Sequence, residues 1–251
     1  MRTARLEAVV LRARPFGDIH RSVTLMTAEE GLVSAVAYGA GSRKGRLRGL
    51  VAPFHRGICY LYTNPVKNQS KITDFDVLDY YSGIREGVDR FYAASLCAEV
   101  LLRSFGGAGE SRRAYELLHT VLPALDGAPD HAAVRRAVVQ FLWRYFDVTG
   151  SRPDLDRCVS CGRGIGAEED RLFRPFATGV LCGECGAEQG RRLMPGAVRY
   201  LLRTGDRPFG ESLGVGLAES ALSGLAAFVF ALAEGVLDRR LNTIRTGGGI
   251  L

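Results

Sequence analysis

Two C-x-x-C pairs, Cys158-Val-Ser-Cys161 and Cys182-Gly-Glu-Cys185, constrain this chain more than any other feature. Four thiols in that arrangement form a tetrahedral zinc site, and four thiolates fill its coordination sphere. No position remains for a catalytic water, so the motif points to a structural metal and away from a zinc hydrolase. Each pair is followed by glycine, Gly162 and Gly186, as in knuckles whose backbone amides turn toward sulfur. A thioredoxin-like redox pair, two disulfides or plain reduced thiols are the alternatives. Cys59 and Cys97 sit among apolar residues and read as buried core thiols.

The net charge of +6 is unevenly distributed along the 251 residues. Residues 1–81 carry 12 Lys and Arg against 7 Asp and Glu, which leaves only one net positive charge for everything after them. No acidic residue falls between Glu30 and Asp74, whereas Arg43, Lys44, Arg46, Arg48, Arg56, Lys67 and Lys71 all do. An acid-free basic stretch of this kind is an electrostatic footprint for a polyanion. No basic-then-apolar leader opens the chain. The longest apolar run, Leu225 to Val236, is interrupted by Glu234 and is too short to span a bilayer. With cysteines in metal spacing, the expected compartment is the reducing cytoplasm.

Periodicity divides the chain into an α+β, multidomain arrangement. Five β-rich runs, 8–14, 22–27, 32–38, 57–62 and 72–81, predict a five-stranded Greek-key barrel of the OB type over residues 1–81, with an SH3-like barrel as the alternative. From Gly83 the period becomes helical. Helices are expected over 88–102, ending at the Gly106–Gly109 run, over 112–125, and after an Asp130 N-cap with Val134, Val138, Phe141, Leu142 and Tyr145 on one face. These make an all-α domain over 82–153. The cysteine module follows at 154–192, with 171–176 expected as a short hairpin covering the metal with aromatic rings. Residues 193–251 complete the helical domain through a helix at 196–204, one long apolar helix ending near Leu241, and a frayed Gly247–Gly249 tail.

Between the third and fourth strands, Gly39-Ala-Gly-Ser-Arg-Lys-Gly-Arg-Leu-Arg48 places four cations within six residues, among glycines that permit close approach to a ligand. Phosphate recognition is the natural use, although the P-loop order G-x-x-x-x-G-K-[ST] is absent. Tyr38, Phe54, Tyr60 and Tyr62 lie on neighbouring β segments and offer rings for stacking on unpaired bases. No catalytic centre assembles. His20, His55, His119 and His131 are scattered, and Asp74, Asp76 and Asp79 lack a further carboxylate constellation for a magnesium nuclease.

Glu7-Ala-Val-Val-Leu11, Arg14-Pro-Phe-Gly-Asp18, Leu25-Met-Thr27, Glu30-Gly31, Tyr38-Gly-Ala40 with Arg43-Lys44, Val51-Ala-Pro-Phe54, Phe91-Tyr92 and the cysteine pairs occur in an order that resembles the RecO family of bacterial DNA-repair mediators. The resemblance implies an OB fold, a helical domain and an inserted four-cysteine zinc finger. It also implies a non-enzymatic mediator, cytoplasmic and nucleoid-associated. Such a mediator binds single- and double-stranded DNA, anneals strands, engages single-strand-binding protein and, with RecR, helps load RecA. Some relatives lack the four cysteines. By the same resemblance Arg43, Lys44, Arg46 and Arg48 match the family's basic barrel loop, Arg85 and Arg90 extend the patch, and Arg191 and Arg192 serve DNA or a partner. The C-terminal Arg239-Arg-Leu-Asn242 departs from the family's usual ending. A zinc-stabilised adaptor that binds the acidic tail of another protein is the alternative reading.

Overall fold

A computed structural model describes residues 2–64, 66, 69–104, 110–247, 249 and 250. Lys67 and the Gly106–Gly109 run lie outside them, as does Gly248 of the glycine tail.

The chain divides into two compact units. The first comprises Met1–Ser82 with Leu101–Leu122 and is built on a closed barrel of β1 (Arg2–Phe16), β2 (His20–Thr27), β3 (Gly31–Ala37), β4 (Arg56–Asn64) and β5 (Gln69–Asp79). Strand order is β1-β2-β3-β5-β4, the five-stranded Greek-key closure of an OB fold. β1 is long because it serves two neighbours: Arg2–Val9 pairs with β4 and Ala8–Phe16 with β2, and a register shift between Val10 and Arg12 bends it from one to the other. The only parallel pairing among the described strands, Val36↔Lys71 and Ala37↔Ile72, closes the barrel. Alternate residues point inward, and Leu6, Ala8, Val10, Val23, Leu25, Ala35, Ala37, Cys59, Leu61, Ile72 and Phe75 form the core. Ala40, Leu47 and Val51 from the β3–β4 connection join that core. Burial pushes the Cys59 thiol pKa up to about 12, as suits an inert core thiol.

Residues 101–104 and 111–122 add helical pieces to this unit. Ser111 lies against Gly31, and Tyr115 interacts with Glu7 and Arg56 of the barrel.

The second unit, Gly83–Val100 with Pro123–Leu251, is helical around the cysteine module. α1 (Ser82–Glu86), α2 (Val88–Ser104), in this unit as far as Val100, and the end of α3 (Ser111–Asp126), in this unit from Pro123, precede α4 (His131–Val148), whose N-cap Asp130 accepts the Ala133 amide at 2.7 Å. The module contributes β6 (Arg171–Phe173), the single-turn α5 (Gly183–Gly186) and β7 (Arg191–Leu193). α6 (Pro195–Thr204), α7 (Phe209–Leu213), α8 (Glu219–Leu237) and α9 (Asn242–Thr246) follow. α8 has the length and hydropathy of a membrane span, but Leu222, Leu225, Phe228, Val229 and Leu232 are buried and the helix packs on α4 and α6. It is a core helix.

Two expectations require correction. Residues 171–176 do not fold back on themselves: β6 pairs with β7, twenty residues downstream, through Arg171↔Leu193 and Phe173↔Arg191, and on its other side Leu172 makes a single antiparallel bridge to Leu181, with amide bonds of 2.9 and 2.7 Å. The Phe173 ring is committed to Phe228 of α8 at 5.3 Å, which docks the module on the helices. The last long helix also stops early. Asp238 adopts φ 47° and the Arg239 amide returns to the Glu234 carbonyl, a left-handed C-terminal cap. The chain then turns to bury Leu241 and start α9, held by Glu99, which accepts the Asn242 and Thr243 amides at 2.9 and 2.8 Å.

Candidate functional site

The basic loop is a run of turns. Ser42 N–H donates to the Gly39 carbonyl at 2.9 Å, Gly45 to Ser42 at 3.2 Å, and Arg48 to Gly45 at 3.1 Å. Its apolar residues point into the barrel core while Arg43, Lys44, Arg46 and Arg48 are exposed. Local chemistry explains the split: each turn satisfies its own backbone, so Ala40 and Leu47 can be buried without orphaned amides. Arg46 donates to Asp74 at 2.9 Å and to the Thr73 carbonyl at 2.6 Å. Arg43 and Lys44 have no carboxylate partner among the described residues, and Arg48 only touches the Arg43 carbonyl at 3.5 Å. With Lys71, Tyr38, Leu47, Ile72 and Thr73, Arg46 lines an open hollow of about 590 Å³.

The other cations named from the sequence have different surroundings. Arg56 is largely buried and grips Glu7 and Asp79, the latter at 2.6 Å. Burial works against its charge, yet the hydrogen bond and charge of Asp79 outweigh it and raise the Arg56 pKa. Lys71 is exposed and sits over the Tyr62 ring at 4.8 Å. Arg85 and Arg90 belong to the second unit, where Arg90 donates to the Gly83 and Asp126 carbonyls. Arg191 lies over Phe173 at 5.7 Å, and Arg192 pairs with Asp170 at 2.6 Å.

Of the four aromatic residues named from the sequence, Tyr38 is the most exposed, at 48 %, while Phe54 is only 3 % exposed. Tyr60 donates to Asp76. Asp74, Asp76 and Asp79 are thus engaged by Arg46, Tyr60 and Arg56, and they do not converge on a common point with a third free carboxylate.

The four cysteines converge. Their Sγ atoms lie within 4.8 Å of one another, and Cys161 and Cys182 are 3.9 Å apart. A tetrahedron of thiolates at the zinc–sulfur bond length has edges of about 3.8 Å, so the donor set fits that ion. No disulfide forms among them. Gly162 has φ +74° and returns its amide to the Cys158 carbonyl at 2.9 Å, closing the first knuckle. Gly186 acts differently: a Cβ there would come within 2.6 Å of Leu172. Burial raises the Cys158 pKa, but the backbone amides of Cys182, Cys161 and Ser160 overcome it and bring the thiol down to about 6. The Cys185 backbone amide lowers Cys182 despite burial, with Arg163 adding to the effect.

Sequence reasoning missed Arg171, which is 1 % exposed and donates to the Leu155, Gly166 and Glu169 carbonyls at 3.1, 2.9 and 2.7 Å and to Asp156 at 3.1 Å. Nothing in its neighbourhood of the sequence marks it as buried.

Residues 1–81 match the family described as recombination protein O N terminal, and residues 85–243 match recombination protein O C terminal. This chain belongs to the RecO family. It is 30 % identical over 248 residues to the DNA repair protein RecO of Rubrobacter xylanophilus, covering 97 % of this chain and 98 % of that one. The DNA repair protein RecO of Anaeromyxobacter dehalogenans strain 2CP-1 is 31 % identical over 247 residues, covering 98 % and 96 %. RecO membership places the chain in DNA repair and recombination.

Proposed function

We propose that the protein is a non-enzymatic recombination mediator whose barrel, residues 1–81, holds single- and double-stranded DNA by its phosphates and promotes annealing of complementary strands. Together with RecR it helps load RecA onto DNA coated with single-strand-binding protein, in the cytoplasm at the nucleoid. The observation that carries this reading is the self-braced loop that turns Arg43, Lys44, Arg46 and Arg48 outward. Cations held this way add to binding through counterion release. Arg56 and Arg90 act instead as structural ties, and Arg85, Arg191 and Arg192 fall in the second unit, where they serve a partner protein rather than the DNA held by the barrel. The four-cysteine site over 154–192 holds zinc as a local staple. The adaptor reading is weaker, because Arg192 and Arg199 are already paired with Asp170 and Glu168.

The test replaces Arg43, Lys44, Arg46 and Arg48 together by Glu and follows single-strand affinity and annealing at several salt concentrations. Both should fall sharply, with a shallower salt dependence. Unchanged affinity would remove the loop from the account, and magnesium-stimulated cleavage by the wild type would remove the non-enzymatic reading.

A further inference from the structure

The pairing register places residues on the outer barrel face that the sequence reading did not connect. Arg14↔Ser22, Ser22↔Val36, Val36↔Lys71 and Lys71↔Tyr62 form one continuous row across β1, β2, β3, β5 and β4. Arg12↔Thr24 and Thr24↔Ser34 form the next. The alternate residues Val23, Ala35, Ala37, Ile72 and Leu61 are in the core, so both rows point away from it; Arg14, Ser22, Ser34 and Lys71 are exposed, while Val36 and Thr24 between them are covered, at 8 and 7 % exposed. From Arg14 to Lys71 is three strand spacings, roughly 14 Å. Arg12, Arg14 and Lys71 have no carboxylate partner among the described residues, and no acidic residue stands in either row. Burial and the neighbouring Arg14 charge lower the Arg12 pKa, the mark of cations held together without counter-charge.

One end of the band is walled by rings. Phe16↔His20 is the last β1–β2 pair, and His20 meets Tyr38 edge-on at 4.8 Å. The Gly39 amide donates to His20 Nδ1 at 3.0 Å, which fixes the imidazole that braces Tyr38. Gly41 N–H donates to the Ile19 carbonyl at 2.8 Å and ties the β1–β2 turn to the basic loop. Phe16, Ile19 and Tyr38 remain 45, 48 and 48 % exposed. A pre-set apolar wall beside a row of cations without a carboxylate partner matches a polyanion that carries flat apolar groups.

We propose that this band is a seat for an unpaired DNA strand, with Arg12, Arg14 and Lys71 on phosphates and Phe16 and Tyr38 on bases, and that the ring wall is what separates single strand from duplex. The inference rests on the DNA-binding reading and goes beyond it, since the loop cations alone accept either form. In a duplex the bases stack on each other and cannot reach the wall, whereas the phosphates remain accessible to the arginines.

The test is fluorescence anisotropy with three labelled probes of equal length: oligothymidylate, an abasic phosphodiester oligomer and a duplex. Wild type binds oligothymidylate about tenfold or more tighter than the abasic oligomer. Phe16→Ala with Tyr38→Ala brings that ratio close to one and leaves duplex affinity within about twofold, while Tyr38→Phe keeps the ratio. Arg12→Ala with Arg14→Ala weakens all three probes and lowers the single-strand salt slope by about 0.7 for each phosphate no longer neutralised. A wild-type ratio near one, which needs no variant to fold, or an unchanged ratio in the Phe16 and Tyr38 variant overturns this proposal while leaving the DNA-binding reading intact. A wild type that binds none of the three probes overturns both.

Discussion

The barrel loop and the cysteine module are both short, glycine-containing and crowded with arginine, yet they use the guanidinium in opposite ways. In the module most of the arginines turn to nearby acceptors: Arg163 to Glu169, Arg192 to Asp170, Arg174 to the Cys185 carbonyl, and Arg171 to a ring of backbone oxygens closed by Asp156, while Arg191 lies over the Phe173 ring. On the loop the backbone satisfies itself in successive turns, and the side chains face water with Arg46 alone held by a carboxylate. An arginine whose donors are taken by the protein supports a fold. One whose donors face solvent is available to a phosphate. Composition does not separate the two cases, because the difference lies in where the carbonyls and carboxylates end up.

The largest expected effect that sharpens this contrast is loss of the metal. Cys158→Ser or Cys182→Ser should abolish zinc binding, since structural zinc contributes on the order of 10 kcal/mol to folding its segment. Hydrogen exchange over 154–192 should rise to that of an open chain, while short oligonucleotides still bind the barrel. Loss of that binding would make the module part of the DNA site.

Arg171→Met comes next. It leaves several buried carbonyls without a donor and should cost about 3–5 kcal/mol, read as a lower denaturation midpoint of the module. Arg43→Met, by contrast, should stay within about 0.5 kcal/mol of wild type. Equal costs at the two positions would break the comparison.

Arg56→Ala tests the contrast inside the barrel itself. Removing its bonds to Glu7 and Asp79 should destabilise the first unit by about 1–3 kcal/mol and leave the salt slope of DNA binding unchanged. A smaller effect is expected from Asp74→Asn. The exposed Arg46–Asp74 pair is worth less than about 1 kcal/mol, so stability barely moves, and freeing Arg46 should tighten single-strand binding a few-fold at low salt.

Much of the architecture was legible because it is written in local patterns. Alternation located the five strands, Asp130 marked the start of α4, and the cysteine spacing located the module. What escaped depends on residues distant in sequence. The partner of β6 lies beyond the second knuckle, and no periodicity in three residues names it. Arg56 reads as one more cation in an acid-free stretch until β1 and β5 bring Glu7 and Asp79 to it. Arg171 is hidden for the same reason, as its acceptors are mostly carbonyls, which every residue has. The row of Arg12, Arg14 and Lys71 needed the register, because strands from different parts of the chain contribute one cation or two apiece.

The central claim is that DNA is held by the cations of the barrel and not by those of the cysteine module. Its most direct test is the slope of log affinity against log salt for a single-stranded oligonucleotide, compared between wild type, the Arg43, Lys44, Arg46 and Arg48 to Glu variant, and an Arg191→Glu, Arg192→Glu variant. The loop variant should lose about 0.7 of slope for each phosphate it no longer neutralises, with the module variant matching wild type. A wild-type slope in the loop variant together with a reduced one in the module variant would contradict the account.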